Sequence, residues 1–284
     1  MDLLTDADRR AVAMSVDGAT RGGAPDEDDR FRATEDAEDA AFVRAMAAEA
    51  ADMLEDKPAD QVLRWAAHVV PRFVITSSFG ADSAVLLHLV SEVAPEVPVL
   101  FLDTGYHFGE TLAFRRELAR DLGLTVLAVR PELSVPQQDQ RHGAELFSTD
   151  PDACCRMRKT VPLRRMLASF DGWATGVRRV QTPERAATPV VEARQHDDRW
   201  LVKVAPLATW TDGDVDAYLD AHDLPRHPLV DRGYPSVGCA PCTRPVTPGA
   251  DPRTGRWADF DGKTECGIHL SEDGQVVRAT TTPG

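Results

Sequence analysis

Short apolar runs alternate with helix-length segments in the first half of the chain. The predicted strands are 73–76, 99–102 and 125–129, and the predicted helices between them are 82–94 and 109–122. Parallel strands need a long crossover, which a helix usually supplies, so this order predicts a mainly parallel sheet with helices on its faces. The pattern therefore indicates an α/β protein.

The same patterning divides the chain into four segments. Residues 15–34 are rich in Gly and Asp and contain few large apolar residues, which is typical of disorder. After about residue 224 Pro, Gly and Arg are frequent and the periodicity fades, so an irregular, mobile end is expected. We predict a disordered acidic tail at 1–35, N-terminal helices at 36–70, the α/β domain at 71–225 and a C-terminal segment at 226–284. Further elements are predicted as a helix at 158–169, strands near 173–175 and 200–203, and a helix at 212–222.

Negative charge is concentrated at the N-terminus. The 284 residues carry a formal net charge of −14, but residues 1–60 contain 17 acidic and 7 basic side chains, and residues 61–284 contain 29 and 25. Such an acidic balance argues against nucleic acid or an anionic membrane surface as a partner, since both need basic faces. The nearly neutral remainder can still contain a basic pocket for a small anion.

The sequence carries no targeting signal that we recognise. No apolar window reaches the ~20 residues of a membrane helix, and the opening MDLLTDADRR lacks the regions of a secretory signal. We therefore expect a cytoplasmic protein, in which cysteines stay reduced. The oligomeric state stays open, with a homo-oligomer among the possibilities.

The turn after the first predicted strand is small and polar, and it reads SSFGADS over residues 77–83. In an open α/β sheet, ligands bind beyond the carboxyl ends of the strands, where the N–H groups of the next helix attract an anion. The turn favours a phosphate site only slightly, because Asp82 or Ser83 as a simple helix N-cap would give the same residues. Asp103 and His107 follow the second strand at the same edge and are expected to face the ligand, although turn and cap chemistry also explains them.

Four of the five cysteines form two close pairs, Cys154 with Cys155 and Cys239 with Cys242. Two thiolate pairs can complete a four-sulfur site for zinc or for an iron–sulfur cluster. Adjacent cysteines are awkward for one tetrahedral ion but can bind different irons of a cluster, so the pattern favours [4Fe–4S] over zinc. Buried cysteines without a ligand role are the alternative. Cys266 stands alone near His269, either as an activated nucleophile or as an incidental thiol.

These motifs together resemble the phosphoadenylylsulfate reductase family, in its iron–sulfur branch of assimilatory adenylylsulfate (APS) reductases. The family lies in the adenine nucleotide alpha-hydrolase (PP-loop) superfamily and implies a Rossmann-like sheet. The resemblance covers residues 70–270 and is carried by SSFGADS, LDTGYHF, CCRMRK, TGVRRVQTPERA, KVAPLATW, GYPSVGCAPCT, PRTGRW and ECGIH.

The resemblance implies a role for each matching residue. Cys154, Cys155, Cys239 and Cys242 would hold one [4Fe–4S] cluster per subunit. Cys266 would attack the sulfur of APS, expel AMP and carry an S-sulfonated cysteine, from which reduced thioredoxin would release sulfite. The substrate-binding residues implied are Ser77, Ser78, Gly80, Asp82, Ser83, Lys159, Arg185, Arg253, Arg256 and His269. In this interpretation the cluster is an electrostatic and structural partner of Lys159 and the sulfate.

Three alternatives remain at the level of sequence. The 3′-phosphorylated substrate, PAPS, would need further basic residues near the first loop, and SSFGADS contains none, which favours APS. Phe79 also replaces the Gly of many PP-loop proteins, which is expected to alter purine or ribose contacts. A different PP-loop enzyme, such as an ATP pyrophosphatase or RNA thiolase with a structural zinc, would not need Cys266. A noncatalytic nucleotide-binding or redox-sensing module would bind without producing sulfite.

Overall fold

The structure is a computed structural model, and it describes residues 27–260, 263 and 265, with side chains from residue 37. The described residues from 39 onward form one compact unit, and residues 27–38 belong to a separate one. The helices are α1 (Glu27–Leu54), α2 (Ala59–Val69), α3 (Ser83–Val93), α4 (Gly109–Asp121), α5 (Val135–His142), α6 (Leu146–Thr149), α7 (Pro151–Cys155), α8 (Val161–Leu167) and α9 (Asp212–Ala221). The strands are β1 (Phe73–Thr76), β2 (Val99–Leu102), β3 (Val126–Val129), β4 (Gly172–Thr175), β5 (Val191–His196) and β6 (Arg199–Val204).

The six strands form a single sheet in the order β3-β2-β1-β4-β6-β5. Every neighbouring pair is parallel except β5 and β6, which are antiparallel. The Rossmann-like, mainly parallel sheet expected from the sequence is confirmed. From β1 the chain runs outward to β2 and β3, then returns to place β4 on the other side of β1, so the strand order reverses between β1 and β4. Ligands of open α/β sheets bind at the carboxyl ends of the strands beside such a reversal.

Both faces of the central strands are buried. Val74 and Ile75 of β1 are both 0% exposed and belong to different apolar clusters, one on each face of the sheet. Helices α2, α3, α4 and α9 contribute to the larger cluster, and α8 contributes Leu163 and Leu167 to the smaller one. Because both faces are covered, the strands read as continuous apolar runs, as their sequences predict.

Residues 27–35, which fall within the predicted acidic tail at 1–35, are the first part of α1. This stretch contains neither Gly nor Pro, the residues that most oppose a helix, whereas Gly and Pro are frequent just before it. The helix predicted over 158–169 is also revised. Its first part is a π-helical turn, Arg156–Thr160, that continues α7 and leads into α8.

The C-terminal part of the described chain has little regular structure, as its sequence predicts. After α9 it contains two 3₁₀ turns, Val230–Arg232 and Ala240–Cys242, and belongs to the same compact unit as the sheet. An isolated bridge joins His107, after β2, to Cys239. In the described residues, no helix combines the length and apolar character needed to cross a membrane.

Candidate functional site

A cavity of about 240 Å³ opens at the carboxyl ends of β1, β2 and β4, beside the reversal of strand order. We call it the nucleotide pocket. Residues from the turns after β1 and β4, from the π-helical turn and from the C-terminal segment line its walls. Nine residues predicted for substrate binding meet here: Ser77, Ser78, Gly80, Asp82, Ser83, Lys159, Arg185, Arg253 and Arg256. The structure brings these nine residues together, and their roles in substrate binding stay predictions.

Asp82 occupies the N-cap position of α3 but does not act as its cap. Its carboxylate instead accepts a hydrogen bond from Arg178 at 2.6 Å. The Arg178 side chain is 4% exposed and also lies 2.8 Å from Asp212, at the start of α9. Asp82 gives α3 no side-chain cap, and the N–H groups of Ser83 and Val85 donate instead to the carbonyls of Gly80 and Asp82, at 3.2 Å and 3.3 Å. The start of α3 lines the pocket, where the helix dipole favours an anion. The simple-cap explanation of this turn is therefore wrong for Asp82.

Phe79 points away from the nucleotide pocket. Its backbone has φ = 50°, in the left-handed region, and its side chain is 0% exposed and packs edge-on against Phe101 with ring centroids 5.6 Å apart. The expectation that it alters purine or ribose contacts is not supported, because its side chain lies in the core. The left-handed backbone explains why Gly suits this position in other proteins.

The two residues after β2 behave differently. His107 lines the pocket: its Nε2–H donates to the carbonyl of Leu102 at 2.8 Å, and no described group hydrogen-bonds to its buried Nδ1. Burial lowers the pKa of this imidazole, so it is neutral near pH 7. Asp103 does not line the pocket and pairs with Arg130 at 3.1 Å, so its expected contact with the ligand is wrong.

Four basic side chains of the described chain form one side of the pocket: Lys159, Arg185, Arg253 and Arg256. These side chains have different partners. Arg256 stacks on Trp257, its Cζ lying 4.6 Å from the ring centroid. Arg185 and Arg253 both contact the carboxylate of Glu265, at 2.7 Å and 3.4 Å. The wall attracts anions, since cationic side chains in a recess favour negative ligands.

A second, smaller cavity of about 10 Å³ lies beside the nucleotide pocket and is lined by the four paired cysteines. We call it the cysteine cavity. Its members come from α7 and the Ala240–Cys242 turn, and each is at most 9% exposed. Lys159, also 9% exposed, lines both cavities. The π-helical turn that follows the Cys154–Cys155 pair thus places the Lys159 ammonium between the two cavities. Such turns are frequent at functional sites.

The cysteine cavity brings four thiols together, the number of sulfur ligands that one zinc ion or one four-thiolate iron–sulfur cluster takes. Within the described part of the chain, no three or more His, Cys, Asp or Glu side chains are arranged to hold a single metal ion. The number and type of the donors match those of a [4Fe–4S] cluster. Burial, together with the nearby Cys239 and Cys242, raises the pKa of the Cys154 thiol to about 11. The thiolate form therefore needs a compensating cationic group.

The comparisons with known proteins agree with this geometry. The model of the phosphoadenosine phosphosulfate reductase domain matches residues 72–245, which include the sheet, the phosphate loop and the four paired cysteines. The chain belongs to the phosphoadenosine phosphosulfate reductase family. This membership confirms the resemblance drawn from the motifs.

Relatives in this family match over most of their length. The adenosine 5'-phosphosulfate reductase of Rhodococcus opacus is 43% identical over 81% of this chain and 95% of its own. That of Mycolicibacterium smegmatis is 46% identical with the same coverage. Among solved structures, the phosphoadenylyl-sulfate (PAPS) reductase from Candida auris, a phosphate complex, is 28% identical with a TM-score of 0.62, covering 70% of this chain and 96% of its own.

Within the reductase family fold, two groups hold the cysteine cavity in place. Thr104 Oγ1 lies within hydrogen-bond distance of Cys239 Sγ, at 3.3 Å. The buried Arg158 donates to the carbonyl of Thr104 at 2.5 Å and to Gln138 Oε1 at 2.8 Å. These contacts tie the turn after β2 to α5 and to the π-helical turn. Thr104 and Arg158 lie in the motifs LDTGYHF and CCRMRK, but their contacts were not predicted, because the partners are at least 20 positions apart.

Two predicted site residues, Cys266 and His269, lie outside the described residues. Gln181, Trp257 and Glu265 are among the residues that line the nucleotide pocket and were not predicted to do so. All three lie in quoted motifs: TGVRRVQTPERA, PRTGRW and ECGIH. The contact of Gln181 with Arg185 additionally depends on the local fold of two consecutive 3₁₀ turns.

Proposed function

We propose that this chain reduces adenylyl sulfate (APS) to sulfite and AMP in sulfate assimilation. The observation that carries the proposal is the shared wall of the two cavities. A pocket lined by the start of α3 and by four basic side chains suits a nucleotide with an anionic phosphosulfate. Lys159 joins that pocket to a four-cysteine cavity. The names of the two bacterial relatives support the same substrate.

The reaction we propose balances with two thiols as the reductant. The thiolate of Cys266 attacks the sulfur of APS, a bond from sulfur to the phosphate oxygen breaks, and AMP leaves with that electron pair. The S-sulfonated Cys266 is then attacked at its Sγ by a thiolate of reduced thioredoxin. Sulfite leaves, and the mixed disulfide is resolved by the second thioredoxin thiol, so a dithiol is oxidised to a disulfide while sulfate sulfur is reduced.

The basic wall addresses the main barrier to this chemistry. A thiolate and a phosphosulfate are both negative, so their approach is opposed unless fixed cations offset the repulsion. Arg185, Arg253 and Arg256 would bind the phosphosulfate, with His269 assigned to the same role by its motif. Lys159 would neutralise charge on the side facing the cysteine cavity. Ser77, Ser78, Gly80 and Ser83 would hold the nucleotide at the start of α3.

Cys154, Cys155, Cys239 and Cys242 would hold one [4Fe–4S] cluster per subunit. When bound, the cluster supplies a buried charge distribution and a rigid connection between α7 and the Ala240–Cys242 turn. Two thiols already account for both electrons of the reaction. The residues around the cavity therefore position Lys159 and the basic wall.

In the described part of the chain, no further basic side chain lines the pocket beside the loop, which supports APS over PAPS. The basic side chain that contacts SSFGADS is Arg178, and it is buried between Asp82 and Asp212. The other basic residues of the described pocket are those assigned to the phosphosulfate. The family model is named for the 3′-phosphorylated substrate, so the two must be compared directly. We expect kcat/KM for APS to exceed that for PAPS, and the opposite order would assign PAPS.

An intact-mass measurement tests the covalent step. The protein, purified under anaerobic conditions with its iron, is incubated with APS in the absence of any reductant. We expect the mass to increase by one SO₃ group in the wild type and to stay unchanged in Cys266→Ser. Adding reduced thioredoxin should remove the adduct and release sulfite. A wild-type protein without an adduct would contradict the mechanism.

Iron analysis of the same preparations tests the cofactor. We expect iron and inorganic sulfide in equal amounts and a visible iron–sulfur absorption band. A colourless protein that contains stoichiometric zinc would contradict the cluster. Cys155→Ala should lose the iron. If Cys155→Ala still forms the adduct at the wild-type rate, the electrostatic role of the cluster is refuted.

A further inference from the structure

The carboxylate of Glu265 lies where the anionic group of a ligand is expected. It accepts two parallel hydrogen bonds from Arg185, Nε to Oε1 at 2.7 Å and Nη2 to Oε2 at 2.8 Å. Arg253 Nη2 lies 3.4 Å from the same Oε1, and the hydroxyl of Thr182 donates to it at 3.5 Å. The Glu265 side chain is only 13% exposed. Two of the four basic side chains of the nucleotide pocket are therefore bound to a carboxylate of the chain itself.

This arrangement occupies the Nε–Nη2 edge of Arg185. A guanidinium binds a carboxylate and a phosphate or sulfate through the same parallel N–H groups, so one acceptor excludes the other at that edge. The remaining terminal nitrogen of Arg185, Nη1, donates to Gln181 Oε1 at 2.5 Å. An anion that binds the Nε–Nη2 edge must displace Glu265. Glu265, which carries the charge, is the true competitor.

The chain on the N-terminal side of Glu265 keeps the carboxylate near these arginines. Lys263, two residues earlier, is 8% exposed and forms an ion pair with Asp152 of α7. Its Nζ also lies 5.3 Å from the ring centroid of Trp257. A tethered group competes at an effective concentration set by its tether rather than by the solution. Lys263 thus makes Glu265 an efficient competitor.

We propose that Glu265 is an internal competitor that determines which anions the nucleotide pocket binds. A ligand enters only if its interactions with Arg185 and Arg253 exceed those of the carboxylate. This weakens the binding of inorganic anions, which a bare basic wall would bind more tightly, and favours a ligand that is also anchored by its nucleotide. The identity of that ligand rests on the proposed function, whereas the competition itself does not.

Binding of inorganic sulfate to the full chain tests the proposal. Glu265→Gln removes the charge and keeps the side-chain length, and Glu184→Gln is the matched control, because Glu184 is exposed and adjoins Arg185 without lining the pocket. We expect E265Q to bind sulfate roughly tenfold more tightly than the wild type, as loss of a charge-assisted pair predicts. E184Q should match the wild type. Adenosine, which carries no anion, should bind all three proteins equally.

The outcomes separate this proposal from the proposed function. Thermal unfolding without ligand shows whether each variant is folded. If Glu265→Gln fails to fold, Glu265→Ala takes its place as the test variant. Equal or weaker sulfate binding by the folded E265Q protein would overturn the internal competitor, even if the wild type converts APS to sulfite. Tighter sulfate binding would support the competitor, even if no sulfite is formed from APS.

Discussion

The guanidinium of Arg256 packs directly on the backbone of Gly238. A Cβ added at residue 238 would lie 2.2 Å from Nη2 of Arg256 and 2.5 Å from its Cζ, which real contacts do not allow. On its other side the guanidinium lies against the ring of Trp257. A glycine immediately before Cys239 therefore creates the space in which one side chain of the basic wall is held.

Gly238→Ala is expected to weaken the binding of inorganic sulfate, because the new methyl group displaces Arg256 from the pocket. We expect a roughly tenfold loss of affinity, the usual effect of one charge-assisted contact. Since the displaced atoms are the end of a flexible side chain, the free energy of unfolding should change by ~1 kcal/mol or less. Gly109→Ala is the control, because nothing lies near its Cβ position. Unchanged sulfate affinity in G238A would contradict the packing argument.

Arg178→Met is expected to weaken anion binding through Asp82. In the wild type the guanidinium of Arg178 neutralises the Asp82 carboxylate at the edge of the nucleotide pocket. Without this partner, the carboxylate repels an incoming anion, so sulfate affinity should fall about tenfold. The double variant Arg178→Met with Asp82→Asn should regain most of that affinity, since the carboxylate at the pocket is then neutral and the other partner of Arg178, Asp212, is 72% exposed and does not line the pocket. Isothermal titration of sulfate measures both. A double variant as weak as the single one would show that repulsion is not the cause.

His227 is expected to make the stability of the protein sensitive to acid. The imidazole is 0% exposed, accepts a hydrogen bond from the Leu229 N–H at Nδ1 and contacts Thr111 Oγ1 through Nε2. Burial lowers its pKa to about 4, although the Glu110 carboxylate acts in the opposite direction. Its contribution is therefore complete above the unfolded-state pKa of about 6.5 and is lost progressively as the pH falls towards 4.

Urea unfolding of the wild type and His227→Gln measures this contribution. Between pH 7 and pH 5 the wild type should lose about 2 kcal/mol more free energy of unfolding than the variant, because only the wild type takes up this proton on unfolding. Other titrating groups, present in both proteins, cancel in the comparison. Parallel pH profiles of the two proteins would contradict a neutral, buried His227.

Phe79 is expected to tolerate Gly better than Ala. Either change removes a fully buried ring and should cost ~3–5 kcal/mol as a cavity forms. However, φ = 50° at this position strains an alanine and not a glycine. Phe79→Gly should therefore be roughly 1 kcal/mol more stable than Phe79→Ala, the reverse of the order in an ordinary strand or helix. Urea unfolding of the two variants decides between the orders.

The parallel part of the sheet could be predicted because each strand is an apolar run buried on both faces. Phe73–Thr76 and Val99–Leu102 are found where their sequences place them. The antiparallel strand Val191–His196 was not predicted. Its sequence, VEARQH, contains mostly polar residues, since it lies at an edge of the sheet. The short helices between residues 135 and 155 were also missed, because they carry few apolar residues and therefore no clear period.

The pocket could be predicted where its residues belong to a contiguous motif and not where they depend on pairing. SSFGADS, the paired cysteines and Lys159 needed only local spacing. By contrast, the pairing of Asp82 with Arg178 joins positions 96 residues apart, and that of Arg185 with Glu265 joins positions 80 apart. Sequence patterns state which residues are chemically able to act. Which of them are already neutralised depends on the tertiary fold.

Because Lys159 borders both cavities, the two sites are thermodynamically linked. A group bound between the cysteines that changes the position or electrostatic field of this ammonium also changes the free energy of nucleotide binding. By reciprocity, a bound nucleotide must change the retention of that group by the same factor. If the group strengthens nucleotide binding, bound nucleotide therefore protects it against loss by the same factor. In that case the cysteine site loses its contents fastest when nucleotide is scarce.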